Sequence, residues 1–525
     1  MFDNVFQRVS QAPTNPHREP EQRGFDVADL YRGPATVEIP ASEALPLDEK
    51  LRQAYFWIVN HAIISPFYDI EYNDGPPQVF TFGDTKCAIT IPSGQSYCSF
   101  VLMPLLAFAV RAKCLLVGGP GRGKTASATL MGVLAGYSIQ EVRRAIQKGQ
   151  PQMTVSDLLG TPLPADIVKA QRIDEIGIGW RRWLGMRVKI IDEYNRIPTR
   201  TQSALLTIMA DNYAEVFDQT FQCPDAAWYL TANDDAGGGT YQVIEALRDR
   251  IDIVVKSLHF NTRFLSDLLM RIESGVKPEE IVPSQIVFRE EELNQLYAAV
   301  MRVQVPPPIL RRLEFFAGQF EFCDHAAAQL EYKTKDTAKL SSLDWSWIAS
   351  LDTGKDKTKD IGAQTQNGMS VRSLMTILTF VKAMAYFRGS GTVEIEDVRQ
   401  MVPFVLHDKL KQDPDCPYFE TGDHSALRID KISWIRQLFD TSCAEYERLD
   451  LDQDDPVASL TAKFETGLDG VSQTEVRKRL VEIEKVLNGW SKSRKFYGHM
   501  FDDVLKLKYL HQRYTNYLRW LEWQK

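Results

Sequence analysis

The run Gly118-Gly-Pro-Gly-Arg-Gly-Lys124-Thr125 constrains this chain more than any other feature. It fits the pattern GxxxxGK[ST] and stands between Ala112 to Gly118, a short apolar run that reads as a strand, and Lys124 to Leu134, whose composition suits a helix. A strand, a glycine-rich turn and a helix in that order make a phosphate cradle. Small residues let backbone N–H groups curl around an anion, and the helix N-terminus adds partial positive charge. Lys124 is placed to neutralise outer phosphates and Thr125 to ligate Mg²⁺. The nucleotide-binding set expected is Gly118, Gly119, Pro120, Gly121, Arg122, Gly123, Lys124, Thr125 and Ala126, with ATP and Mg²⁺ as the ligands.

Two further apolar runs end in polar residues. Val188 to Ile191 leads into Asp192 and Glu193, and Ala226 to Leu230 leads into Thr231, Ala232 and Asn233. In an open parallel α/β sheet the carboxyl ends of the strands form the ligand edge, so both runs can converge on the P-loop. Asp192 would hold the metal through water, and Glu193 would act as base or water-orienting group. Two acids at that place point to turnover and not to binding alone.

At 525 residues the chain is too long for one ordinary core, and its composition is that of a folded globular protein. A net charge of −8 argues against a nucleic-acid binder over its whole surface, leaving only local basic pairs such as Arg181 with Arg182 and Arg494 with Lys495. Seven scattered cysteines show no CxxC or Cys/His ligand spacing and read as buried thiols of a reducing compartment. The polar start, Met1 to Arg23, lacks a signal-peptide pattern, so a cytoplasmic location is expected. Leu102 to Val110 is strongly apolar but is closed by Arg111 and Lys113, far short of the roughly 20 residues of a spanning helix. It reads as a buried helix, with no membrane insertion.

Four regions are expected. Residues 1–95 form an N-terminal extension with a helix from Asp48 to Ala62 and an alternating segment from Val79 to Ile91; residues 96–262 form the α/β nucleotide-binding domain. Beyond Phe260 helical periodicity takes over, as at Leu293, Leu296, Ala299 and Val300, and predicts a helical lid over 263–412 with an inserted polar loop at about 334–366. Residues 413–525 form a helical extension. In it Ser472 and Glu475 make a capping-box pattern ahead of Val476, Leu480, Ile483 and Leu487, and Met500 to Trp523 pairs with that helix as a hairpin.

The stretch Asp192-Glu-Tyr-Asn-Arg followed by Thr201-Gln-Ser-Ala-Leu-Leu206 resembles the segment after Walker B in MoxR-type AAA+ ATPases. Thr231-Ala-Asn-Asp, Gly239-Thr-Tyr and Glu245-Ala-Leu-Arg-Asp-Arg-Ile251 are similar, in order, to that family's sensor-1, Gly-Thr-Tyr and arginine-finger segments, and Gly368-Met-Ser-Val-Arg372-Ser-Leu to its sensor-2 segment. The resemblance places the chain in the clade with a helix-2 insert, related to magnesium-chelatase-type ATPases. It implies an α/β fold: an AAA+ P-loop core with a parallel sheet, an all-α lid and here a helical C-terminal extension. It further implies that Asn233 is sensor 1, Arg250 the finger with Arg248 as the alternative, and Arg372 sensor 2.

The same resemblance implies a homo-oligomer, a hexameric ring, that hydrolyses ATP to remodel a protein client, in the manner of a chaperone or in cofactor insertion, with a von Willebrand factor A partner. The segment from Asp157 to Trp183 occupies the place of the helix-2 insert, and Trp180-Arg-Arg-Trp183 could grip a polypeptide or stack on bases. The alternative for those tryptophans is to anchor the insert on its own core. Two rival functions stand beside the leading one: a nucleic-acid-stimulated motor, and a nucleotide-gated scaffold that scarcely turns over.

Overall fold

The computed structural model of the chain describes residues 45–83, 88–170, 172, 175–233, 245–257, 260–275, 277–320, 361–422, 424–452, 455–493 and 499–523. The leading segment to residue 44, the Gly239-Thr-Tyr run, most of the expected 334–366 insertion and the Arg494–Lys495 pair lie outside the described residues.

Five parallel strands make the central sheet: β1 (Lys113–Val117), β2 (Gln147–Lys148), β3 (Val188–Asp192), β4 (Ala227–Ala232) and β5 (Ile253–Lys256). Their spatial order is β5-β1-β4-β3-β2. All six residues of β4 are buried, as expected for a central strand covered on both faces. Because the strands run the same way, β1, β3 and β4 deliver Gly118, Glu193 and Asn233 to one edge.

Helix α1 (Leu47–Trp57) packs on α2 (Ser99–Val110) and on the lid, and α2, α3 (Lys124–Leu134) and α4 (Thr199–Asp211) pack about this sheet. Every residue of α2 is buried, and Tyr229 of β4 donates its hydroxyl to the Pro104 carbonyl at 2.8 Å. The apolar run that is too short for a membrane is therefore a core helix. Among the described residues no helix is long and apolar enough to cross a membrane.

The lid contains α5 (Leu265–Ser274), α6 (Glu290–Met301), α7 (Pro307–Gly318), α8 (Val371–Phe387), α9 (Ile395–Leu406) and α10 (Lys431–Arg448). Ser370 caps α8 by accepting from the Ser373 amide at 3.2 Å, and Ile377, Phe380, Val381 and Met384 supply its buried stripe. The N-terminal segment packs into this same core. Tyr55 and Tyr97 both meet the Phe387 ring edge-on, and Tyr72 donates to the fully buried Asp397, which also receives Arg388. Helix α10 belongs to it as well, through Trp434, Leu438 and Phe439. The boundaries expected at 95 and 412 thus fall inside continuous packing.

The last three helices, α11 (Pro456–Glu465), α12 (Gln473–Ser493) and α13 (His499–Trp523), close on a small core of their own, built from Leu460, Val476, Ile483, Leu507, Leu510 and Tyr514. The hairpin stripe is spent on its own packing.

Candidate functional site: a phosphate cradle and a carboxylate pair on one sheet edge

The P-loop leaves β1 at Val117 and enters α3 at Lys124. Gly121 and Gly123 take left-handed φ values of 72° and 75°, and no atom stands within 4 Å of where either would carry a Cβ. A side chain there would be strained, and the inner side of the loop is left open to a ligand. Lys124, largely buried, donates Nζ to the carbonyls of Gly118 at 2.6 Å and Gly119 at 2.7 Å and to Asn233 Oδ1 at 3.0 Å. Its ammonium is therefore held within the curve of the loop.

Side chains from β3 and β4 close the other side. Asp192 Oδ1 accepts from Thr125 Oγ1 at 2.8 Å and from Thr231 Oγ1 at 2.6 Å. Thr231 Oγ1 also accepts the Glu193 amide at 2.9 Å, so one buried hydroxyl fixes both acids. Glu193 adopts φ 55° and ψ 49°, a left-handed conformation costing a non-glycine residue on the order of 1 kcal/mol. Gly149, just past β2, donates to the Asp192 carbonyl at 2.7 Å and passes so close that a Cβ on it would stand 2.1 Å from the Glu193 carbonyl oxygen. The Glu193 carboxylate meets Asn233 Nδ2 at 3.1 Å and Arg196 Nε at 3.3 Å.

The expected arginines lie elsewhere. Asp252, immediately before β5, pairs with Lys113 at the start of β1, whereas the P-loop follows the end of β1. Helix 245–249 and Arg250 therefore sit at the opposite edge of the sheet. There Arg372 forms an ion pair with Asp249, Thr376 of α8 donates to Asp252 at 3.2 Å, and Arg250 donates to the Ala246 carbonyl at 3.1 Å. The fold brings together Lys124, Thr125, Asp192, Glu193 and Asn233 within one chain and sets Arg372, paired with Asp249, apart from them, while Arg248 stands within electrostatic reach of Tyr194, the residue after Glu193.

Residues 113–253 match the family model described as ATPase family associated with various cellular activities, and residues 359–424 match the AAA lid domain. Chaperone MoxR1 of Mycobacterium tuberculosis is 24% identical over 313 residues, spanning 58% of this chain and 69% of that protein. Over its P-loop core and its lid the chain resembles AAA+ ATPases of the MoxR type. A crystal structure from Cytophaga hutchinsonii, described as that of an ATPase, is also similar, at 18% identity and a TM-score of 0.43 over 64% of this chain and 89% of that one.

Within the segment from Asp157 to Trp183 the structure favours one of the two readings of the tryptophans. Trp183 is 1% exposed, donates Nε1 to the Leu158 carbonyl at 2.7 Å and meets Trp228 edge-on, while Trp180 rests on Phe221. Trp183 cannot stack on a base or grip a polypeptide from that position; it anchors the insert to the sheet. Among the described residues of the insert the exposed large apolar groups are Leu163, Ile167 and Val168, on and beside the short helix Pro164–Lys169.

The residues present fit a nucleotide with a hard divalent cation. The loop is open, its lysine points inward, and the donors near Thr125 are a hydroxyl and one carboxylate, the oxygen set that Mg²⁺ takes together with phosphates and water. Among the described residues no group of three or more His, Cys, Asp or Glu could hold a metal by itself. Three positions that order this site escape the sequence reading: Thr231 as a hydroxyl clamp, Gly149 as a close approach, and Arg196 on the Glu193 carboxylate. Arg196 had a signal, being three residues beyond Glu193 in the Asp-Glu-x-Asn-Arg run.

Proposed function

We propose that the chain hydrolyses ATP in a ring of identical copies, hexameric by family resemblance, and uses the cycle to remodel a protein client. The observation that supports this reading is the division of labour across the sheet. Among the described residues the P-loop edge carries Lys124, Thr125, Asp192, Glu193 and Asn233, with Arg196 on the Glu193 carboxylate and Arg122 on the Ser257 carbonyl, whereas Arg372 pairs with Asp249 and Thr376 with Asp252 towards the other end of β5. A site built this way is completed by the far edge of a neighbour.

In this scheme Gly118 to Ala126 hold the phosphates, and Thr125 and Asp192 hold Mg²⁺, whose bound charge would offset that of the β and γ phosphates. Glu193 takes the proton of the attacking water, with Asn233 fixing the carboxylate and Thr231 fixing the backbone beneath it. Arg250, or Arg248 beside it, reaches the neighbour's γ-phosphate, a contribution of about 10³-fold or more in rate for such fingers. Arg372 joins it from the lid, so that lid position follows nucleotide state. A von Willebrand factor A protein is the proposed partner, and the separately packed helices α11 to α13 are the proposed docking module.

Glu193→Gln tests the chemistry. Nucleotide binding persists and phosphate release falls by about 10²-fold or more; undiminished release would reject the assignment.

A further inference from the structure

Ser257 is the first residue beyond β5, and the register that pairs Lys256 with Val117 carries it to the P-loop edge of the sheet. Its amide donates to the Val117 carbonyl at 2.8 Å, and Arg122 Nη1 donates to its carbonyl at 3.2 Å, so both of its backbone polar groups are tied to the loop. The side chain behaves otherwise. Ser257 is 6% exposed, and its Oγ is buried with no hydrogen-bond partner among the described residues. A buried hydroxyl left unpaired costs a folded protein free energy, and its hydrogen can rotate to any acceptor that comes within reach.

The hydroxyl rests against Gly118, where a Cβ would stand 1.9 Å from Ser257 Oγ. Position 118 therefore takes glycine for this close approach as well as for the turn. The carbonyl of the same glycine is buried and is held by Lys124 Nζ at 2.6 Å, beside that of Gly119 at 2.7 Å. An ammonium has three donors, and those of Lys124 go to Gly118, Gly119 and Asn233. To meet a phosphate, Lys124 gives up some of these bonds, which leaves a buried carbonyl short of a donor. Ser257 Oγ is an unused donor beside that carbonyl.

We propose that Ser257 is a positioning residue of the P-loop, whose hydroxyl takes over the Gly118 carbonyl when Lys124 turns to a phosphate. The inference rests on the reading of the P-loop as an ATP site. With Lys124 on the loop carbonyls the hydroxyl is an orphan, and with Lys124 on phosphate it is paired. That difference favours the loaded loop, so part of the affinity for nucleotide comes from a residue that belongs to the end of β5 and not to the GxxxxGK[ST] run.

Melting four full-length chains without nucleotide tests the exchange: wild type, Ser257→Ala, Lys124→Ala and the double variant. In the wild-type background Ser257→Ala leaves the melting temperature unchanged or slightly raised, because the hydroxyl removed had no partner. In the Lys124→Ala background the Gly118 carbonyl has already lost its lysine and depends on Ser257, so Ser257→Ala lowers the melting temperature by about 2 °C or more. A double variant that fails to fold while both single variants fold shows the same coupling. Equilibrium binding supplies the second readout: in an otherwise wild-type chain Ser257→Ala weakens ATP affinity about 2- to 10-fold. Equal melting shifts in the two backgrounds, as a packing role alone would give, or an unchanged ATP affinity overturns the proposal. A wild-type chain that binds no ATP rejects the P-loop reading instead, and the ligand-free melts still decide the exchange.

Discussion

Asn233 donates its side-chain amide to Glu193 Oε1 at 3.1 Å while its own oxygen accepts from Lys124 Nζ at 3.0 Å. Only one orientation of the amide satisfies both neighbours, so the carboxylate and the P-loop ammonium are joined through a single side chain. Whatever displaces Lys124 also alters what holds Glu193.

Asn233→Ala breaks that link without touching the P-loop backbone. Turnover is expected to fall about 10- to 100-fold, with ATP affinity changed far less, since the loss concerns water positioning. Steady-state hydrolysis beside equilibrium nucleotide binding checks this. Equal losses in both would mean that Asn233 serves binding.

Thr231→Val removes a donor to Asp192 and the acceptor of the Glu193 amide while keeping the shape of a buried side chain. Leaving that amide unsatisfied should cost about 1–3 kcal/mol in unfolding free energy. The Mg²⁺ concentration for half-maximal hydrolysis should also rise, because Asp192 loses one of its two hydroxyl tethers. Thr231→Ser restores both values, and a valine variant with wild-type Mg²⁺ dependence would contradict the clamp.

Gly149→Ala sets a methyl group against the Glu193 carbonyl, where 2.1 Å leaves no room and the obstacle is backbone. Hydrolysis is expected to drop more than about tenfold although no functional side chain has changed, because the left-handed turn at Glu193 must shift. Nucleotide binding measured without Mg²⁺ should be nearly unaffected.

Much of this site is legible along the chain because its parts are contiguous. Gly118 to Thr125, Asp192 with Glu193, and Asn233 each follow an apolar run that ends in polar residues. Gly149 and Thr231 are not legible, because their roles depend on β3 lying between β2 and β4, and the order of strands is no property of any local window. A two-residue β2 leaves no run to detect. The Trp180 to Trp183 segment leaves two readings open for the opposite reason: charge and aromatic rings look alike whether the tryptophans face solvent or, as with Trp183, the core. The union of the N-terminal segment with the lid rests on pairs such as Arg52 with Phe387, too distant in sequence for periodicity to reveal.

Lys189 offers a test of packing by pH. Burial drives its ammonium from 10.5 down to about 8, although Cys223 and Asp225 favour the charged form. Between those values the unfolded chain binds a proton that the folded chain has released, so this residue adds stability as pH rises through the window. Below pH 8 the folded state bears the full cost of the buried charge. Lys189→Met should stabilise the protein on the order of 2 kcal/mol at pH 7, allowing for the lost donors to Met186 and Pro224, with the advantage shrinking towards pH 10. Denaturant midpoints of both chains across pH 7–10 check it, and a gap independent of pH would contradict it.

The shared site between copies is the central claim, and complementation tests it most directly. Lys124→Ala copies keep the arginine edge but lose the P-loop lysine, whereas Arg250→Ala copies keep the P-loop and lose the finger. Each alone should hydrolyse ATP at less than about a hundredth of the wild-type rate. Mixed together they should recover hydrolysis well above either, because some interfaces then pair an intact P-loop with an intact arginine. A mixture as inactive as its components, with assembly preserved and Arg248→Ala substituted for Arg250→Ala giving the same result, would contradict a site completed in trans.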